Sequence, residues 1–180
     1  MYQILILDDE QPIINAITRL IARIPAAELK VPLVRSFTDP QAAIDSVKNH
    51  AYDLVITDFR MPLMDGLTFL QKVVEHQPDV ARIIISGHAD LPVVLSAVNG
   101  VQIFRFISKP WNDTELQQSI VHALQLRSLQ RENQRLADLV RAQRGVLSRQ
   151  EATLRQLERE SPGITHVSRD ADGAILLDDE

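Results

Sequence analysis

Five short apolar runs punctuate the first part of the chain: YQILIL (2–7), VPLVRSF (31–37), DLVITD (53–58), RIIIS (82–86) and QIFRFI (102–107). Between them, apolar positions return at helical spacing in amphipathic stretches near 12–24, 40–49, 67–76 and 90–98, and a further stretch begins near Asn112. Strand-like runs that are apolar nearly throughout, each followed by a helix pattern, predict a parallel sheet covered on both faces. Pro12 and Pro40 suit the first turn of a helix, and Asn112 or Asp113 suits the cap of the fifth. Residues 1–124 therefore read as one doubly wound α/β domain with five parallel strands.

The pattern changes after residue 124. From Asn112 to Arg144 neither glycine nor proline interrupts the chain, so the fifth helix is expected to run straight out of the domain. A heptad then organises residues 125–160. Leu126, Asn133, Val140, Leu147 and Leu154 take one core position; Leu129, Leu136, Gln143, Gln150 and Leu157 take the other. Seven of these ten positions are apolar, which predicts a coiled coil whose middle is weakened by Gln143, Gln150 and Gly145. Asn133 is the kind of core residue that sets a two-stranded parallel register, so a parallel homodimer is expected. The last segment, 161–180, opens with Ser-Pro-Gly and places Asp-Gly between two short apolar runs, the pattern of a small β-hairpin.

Composition narrows the function classes. Of 180 residues, 45% are hydrophobic, enough for a packed core, and the net charge of −5 argues against general affinity for nucleic acid or anionic membrane. The absence of cysteine excludes disulfides, thiolate zinc sites and thiol catalysis. The start, MYQILILDDE, reads as a strand ending in acids and not as a signal peptide, and no apolar run approaches the ~20 residues that span a bilayer. A cytoplasmic protein is expected.

The candidate chemistry sits where the strands end. In open parallel sheets ligands bind beyond the carboxyl ends of the strands. There the first strand runs into Asp8, Asp9 and Glu10, the third ends in Asp58, the fourth in Ser86, and the fifth leads into Ser108-Lys109-Pro110. Three aspartates converging on one crevice repel one another unless a cation intervenes, and oxygen-only ligands with room for water suit Mg²⁺. A lysine and a hydroxyl nearby supply the counter-charge and donor that a phosphoryl group needs. Asp58, expected to stand exposed at its strand tip, is thus the candidate nucleophile for phosphoryl transfer.

The Asp-Asp pair, TDFRMPLMDG, ISGHAD and RFISKPW, in this order and spacing, resemble the receiver domain of bacterial two-component response regulators over about residues 1–124. The resemblance implies a flavodoxin-like strand order 2-1-3-4-5 and phosphorylation of Asp58 by a histidine kinase or phosphotransfer protein. It also implies Asp9 as the direct Mg²⁺ ligand, Asp8 acting largely through water, and Arg60 lending its main-chain carbonyl. Lys109 and Ser86 would hold the phosphoryl oxygens, with Phe106 as the aromatic switch. Arg60 and His88 would flank the attacking water and tune the phosphate lifetime. Turnover of a separate substrate is not expected.

Other features carry less. The five histidines show no ligand spacing, and SRDADGAILLDD mimics a calcium loop only in part, its first ligand being a serine. Residues 125–160 hold eight arginines and five acids, spread out rather than blocked as in a base-reading helix, so nucleic acid is not the expected partner. The expected output is a protein partner engaged through the coiled coil. A DNA-binding regulator or a phosphate shuttle are the alternatives. RFISKPW also looks like receivers fused to cyclic-di-GMP phosphodiesterases of the HD-GYP type, which hints at that signalling system.

Overall fold

The computed structural model describes residues 1–29, 31–87 and 102–160, the side chains of 147, 148 and 158 excepted. The helix expected near 90–98 and the hairpin expected in 161–180 lie outside the described residues. Among the described residues five strands and four helices follow in the order β1 (Gln3–Leu7), α1 (Gln11–Ala22), β2 (Leu33–Phe37), α2 (Pro40–Asn49), β3 (Leu54–Asp58), α3 (Gly66–His76), β4 (Ala81–Gly87), β5 (Arg105–Lys109) and α4 (Asp113–Glu160). All strand pairs are parallel, in the order β2-β1-β3-β4-β5. This is the doubly wound, flavodoxin-like arrangement.

Alternation along each strand feeds two cores. Ile4, Ile6, Ile56, Ile83, Ile85 and Ile107 pack with α1 and the first turns of α4, where Leu116, Ile120 and Leu124 are fully buried. Leu5, Leu7, Val55 and Ile84 pack on the other face with α2 and α3. Two buried faces explain why the inner strands β1, β3 and β4 are apolar at most positions, while the edge strands β2 and β5 carry more polar residues.

The helix starts follow local chemistry. Pro12 and Pro40 lie in the first turns of α1 and α2, where a missing N–H costs nothing. Asp39 Oδ1 accepts from Gln41 N at 3.0 Å, Asp65 Oδ1 from Thr68 N at 2.7 Å, and Asn112 Oδ1 from Glu115 N at 3.1 Å, so each caps the helix that follows. The fifth strand begins three residues later than the QIFRFI run. Gln102 sits at φ 48 and turns the chain, and Phe104 N first reaches back to Arg82 O at 2.8 Å.

The chain divides into two compact units, the first Met1–Gln130 and the second beginning at Arg131. In the second unit the helical chain carries Leu136, Leu139, Val140, Val146, Leu154 and Leu157 about half exposed. Among the described residues no helix is long and apolar enough to cross a membrane.

Gln77 is the main polar staple of the first unit. Its side-chain oxygen accepts from Tyr52 N at 2.8 Å, and its nitrogen donates to Val47 O and His50 O at 2.6 and 2.7 Å. It thereby ties the end of α2 to the entry of β3. Gln77→Ala is expected to cost about 2–3 kcal/mol in urea denaturation, because three main-chain groups lose their partner together.

Candidate functional site

The strand register brings three charged side chains to one end of the sheet. Leu7 pairs with Thr57, so Asp8 and Asp58 leave adjacent strands side by side. Gly87 pairs with Lys109, which places that lysine one strand beyond β4. Its Nζ donates to Asp8 Oδ2 at 2.8 Å and lies 2.5 Å from Asp58 Oδ1. Asp8 Oδ1 accepts in turn from Glu10 N at 2.9 Å, and the main-chain N–H of Arg60 donates to the Asp58 carboxylate. The peptide bond after Lys109, to Pro110, is cis.

Burial sets the electrostatics. Asp8 is 1% and Asp58 6% exposed, so two carboxylates share one ammonium away from bulk water. Burial raises the pKa of Asp58 above the ordinary aspartate value; the hydrogen bond and charge of Lys109 oppose this without cancelling it, and Asp8 adds to the rise. For Lys109, burial alone would lower the pKa, but its hydrogen bonds to Asp58 and Asp8, together with their charges, leave it raised. The centre is therefore one ammonium holding together two carboxylates that would otherwise repel.

The loop after β3 closes tightly on this centre. Gly66 N donates to Phe59 O at 2.8 Å, and a Cβ at position 66 would collide with the main-chain carbonyl of Asp58. Glycine is required there because the backbone of α3 begins against the strand end that carries the carboxylate.

A charged crevice of this kind, at the carboxyl ends of a sheet ordered β2-β1-β3-β4-β5, agrees with comparison against known proteins. The family described as response regulator receiver domain matches residues 4–121. The chain belongs to the response regulator receiver family. It is 31% identical over 146 residues to the hydrogenase transcriptional regulatory protein HoxA of Bradyrhizobium diazoefficiens, covering 81% of this chain and 29% of that protein. A solved structure of an uncharacterized protein from Neptuniibacter caesariensis is 40% identical with a TM-score of 0.66, covering 73% of this chain and 93% of that one. The signal receiver domain of an HD domain-containing protein from Pseudomonas fluorescens Pf-5 is 29% identical with a TM-score of 0.63, covering 71% of this chain and 97% of that one. The chain spans from 26% to 64% of the length of the curated relatives first matched. Receivers of this family are in general phosphorylated on an aspartate by histidine kinases and bind Mg²⁺ for that reaction.

The receiver fold brings Asp8, Asp58 and Lys109 together and sets the other candidate residues around them. Asp58 is buried, not exposed as expected from its place at a strand tip; Lys109 and the loop closed by Gly66 cover it. Ser86 is buried on β4, one residue beyond the register partner of Asp58. Phe106 lies on β5 opposite Ile84 and packs partly against the α2–α3 core. Asp9 is exposed, because successive residues at a strand end face opposite ways and Asp8 takes the inward place. His88 lies outside the described residues. Gly66 was not singled out from sequence, although Asp-Gly two residues beyond Met-Pro was the available signal.

Among the described residues no three acidic or histidine side chains gather closely enough to enclose a metal ion. The chemistry of the donors nonetheless fits Mg²⁺, which keeps several waters and takes one or two carboxylates. Asp8, Asp58 and the adjacent Asp9 carry more negative charge than Lys109 neutralises.

Two stability predictions follow from this charge balance. Because the folded-state pKa of Asp58 is raised, its ionisation weakens the fold at every pH above that value, and the penalty disappears as pH falls below the ordinary aspartate range. Asp58→Asn is therefore expected to stabilise the protein by about 1 kcal/mol at pH 7, with the gain vanishing in acid, as read by urea titration at a series of pH values. Lys109→Met leaves two buried carboxylates without their counter-charge and is expected to cost about 3 kcal/mol in the same assay.

Proposed function

We propose that Asp58 is the phosphoacceptor of this receiver and that α4 carries the signal to a protein partner. The observation supporting the assignment is the Asp8–Lys109–Asp58 centre: both carboxylates are buried and paired with the lysine, and Asp58 is the one that stands at the end of the central strand. A carboxylate oxygen of Asp58 attacks the phosphorus of a phosphohistidine on a kinase or phosphotransfer protein. The new O–P bond forms as the P–N bond breaks, and the imidazole leaves. Mg²⁺, held by Asp8, Asp9, Asp58 and the Arg60 main-chain carbonyl, would supply positive charge to the phosphoryl oxygens. Lys109, already poised between the carboxylates, takes up the new oxygens, and the Ser86 hydroxyl donates to another.

The acyl phosphate brings nearly two negative charges and three acceptor oxygens into a buried centre. Movement of Ser86 toward them opens room for Phe106 to turn inward, repacking the β5–α4 surface as a two-state element. Residues 1–124 form the receiver and 125–160 the coil in this reading. The apolar side chains at Leu126, Leu129, Leu136, Val140, Leu154 and Leu157, 40–63% exposed, need a cover that one helix cannot provide, and a second copy of the helix supplies it. The likeness of RFISKPW to receivers fused to HD-GYP domains, and of the chain to the receiver of an HD domain-containing protein, supports a cytoplasmic output partner in cyclic-di-GMP signalling.

Acetyl phosphate with Mg²⁺ is expected to add one phosphoryl group to the wild-type chain by intact-mass spectrometry. Asp58→Asn and added EDTA are each expected to abolish the adduct. Undiminished labelling of Asp58→Asn would remove the assignment.

A further inference from the structure

Two of the large exposed apolar side chains on α4 fall outside the heptad seam. Leu139 and Val146 are 48% and 54% exposed, and each sits one residue before a first core position, Val140 and Leu147 respectively. They flank the seam where its second core positions turn polar, at Gln143 and Gln150. The apolar stripe thus widens toward one side in the middle of the coil.

Helix direction decides what these residues meet. In a parallel pair, the position before a first core residue faces the position after a second core residue, five residues further along the other copy. Leu139 would then lie against Arg144, and Val146 against Glu151. In an antiparallel pair the same flanking positions face each other. One antiparallel register uses all ten core positions with none overhanging. It stacks Leu126 on Leu157, Leu129 on Leu154, Asn133 on Gln150, Leu136 on Leu147 and Val140 on Gln143, each layer occurring twice by symmetry. That register sets Leu139 of each copy against Val146 of the other.

We propose that two copies of α4 pair antiparallel in this register, in place of the parallel pairing expected from Asn133 and resting on the dimer reading above. Leu136, Leu139 and Val140 of one copy then join Val146 of the other in an apolar patch on each side of the centre. Asn133 meets Gln150, and their amides can both donate and accept. The remaining flanks, Glu132 with Thr153, Gln130 with Glu151 and Ala137 with Arg144, contain no like-charge pair. Arg135–Glu132 and Arg141–Asp138 are satisfied within each helix, so these charges impose no orientation of their own. The layer of Val140 on Gln143 is the mixed one, and the apolar flank beside it offsets its cost.

The pairing has a consequence for signalling. Leu157 of one copy seats on Leu126 of the other, two residues after Leu124, which is fully buried in the receiver core. Repacking of a receiver around its own α4 is thereby felt at the far end of the other copy's helix, so communication runs between chains.

The test uses the full chain, which has no cysteine of its own. Leu129→Cys and Leu154→Cys variants are made, mixed by subunit exchange and oxidised, with solution mass followed by light scattering. Antiparallel pairing predicts a disulfide-linked dimer only in the mixture. The two copies of residue 129 then lie about 38 Å apart, far beyond the ~7 Å that a disulfide spans. A linked dimer from Leu129→Cys alone would show parallel strands and overturn the orientation while leaving the dimer. A chain that stays monomeric and uncrosslinked overturns both. As a second readout, Leu139→Lys is expected to weaken dimerisation about tenfold, and adding Val146→Glu to restore it, since the two new charges face each other. Failure of the second change to rescue the first would count against the register.

Discussion

The ion-paired centre of Asp8, Lys109 and Asp58 is the constraint on which the rest of the receiver depends. Each carboxylate is buried, each belongs to a different strand, and the lysine that reconciles them comes from a third. The interaction therefore tests the whole sheet at once: a register slip in β1, β3 or β5 would strand a charge away from water. It also leaves the centre short of positive charge, a setting suited to the Mg²⁺ that receivers of this family in general bind.

The surroundings of this centre differ on its two sides. Gly66 lets the start of α3 lie against the Asp58 carbonyl, and Asp65 caps that helix, so the loop has little freedom. Ser86 and Phe106 sit on the two strands beyond β3, on the side that leads to α4. In the proposed reading a new charge at Asp58 would meet the closed loop before α3 on one side and Ser86 and Phe106 on the other. The helix at the end of that path anchors itself in the receiver through Leu116, Ile120 and Leu124 and then continues with its apolar side chains uncovered.

Much of this was legible in the residues. Runs such as DLVITD and RIIIS are apolar at both alternating positions, which only a strand covered on two faces requires, and that alone indicated the parallel sheet. Acids and a lysine at strand ends located the site, because polar groups next to buried strands need a reason to be there. The start of β5 was less legible: QIFRFI reads as one strand-like run, and nothing local marks that Gln102 turns the chain before the ladder begins. On α4 a strict two-position heptad leaves out the exposed Leu139 and Val146.

The sequence by itself determined the element types, the two-faced sheet and the identity of the charged residues at its end, since all of these follow from local periodicity and side-chain chemistry. Tertiary structure decided what those charges do to one another. Asp8 turns inward and Asp9 outward although they are neighbours of the same kind, because only one of two successive side chains can face the crevice. Lys109 lies 2.8 Å from a residue 101 positions earlier, a proximity that no local pattern encodes and that exists only once β1, β3, β4 and β5 are laid side by side.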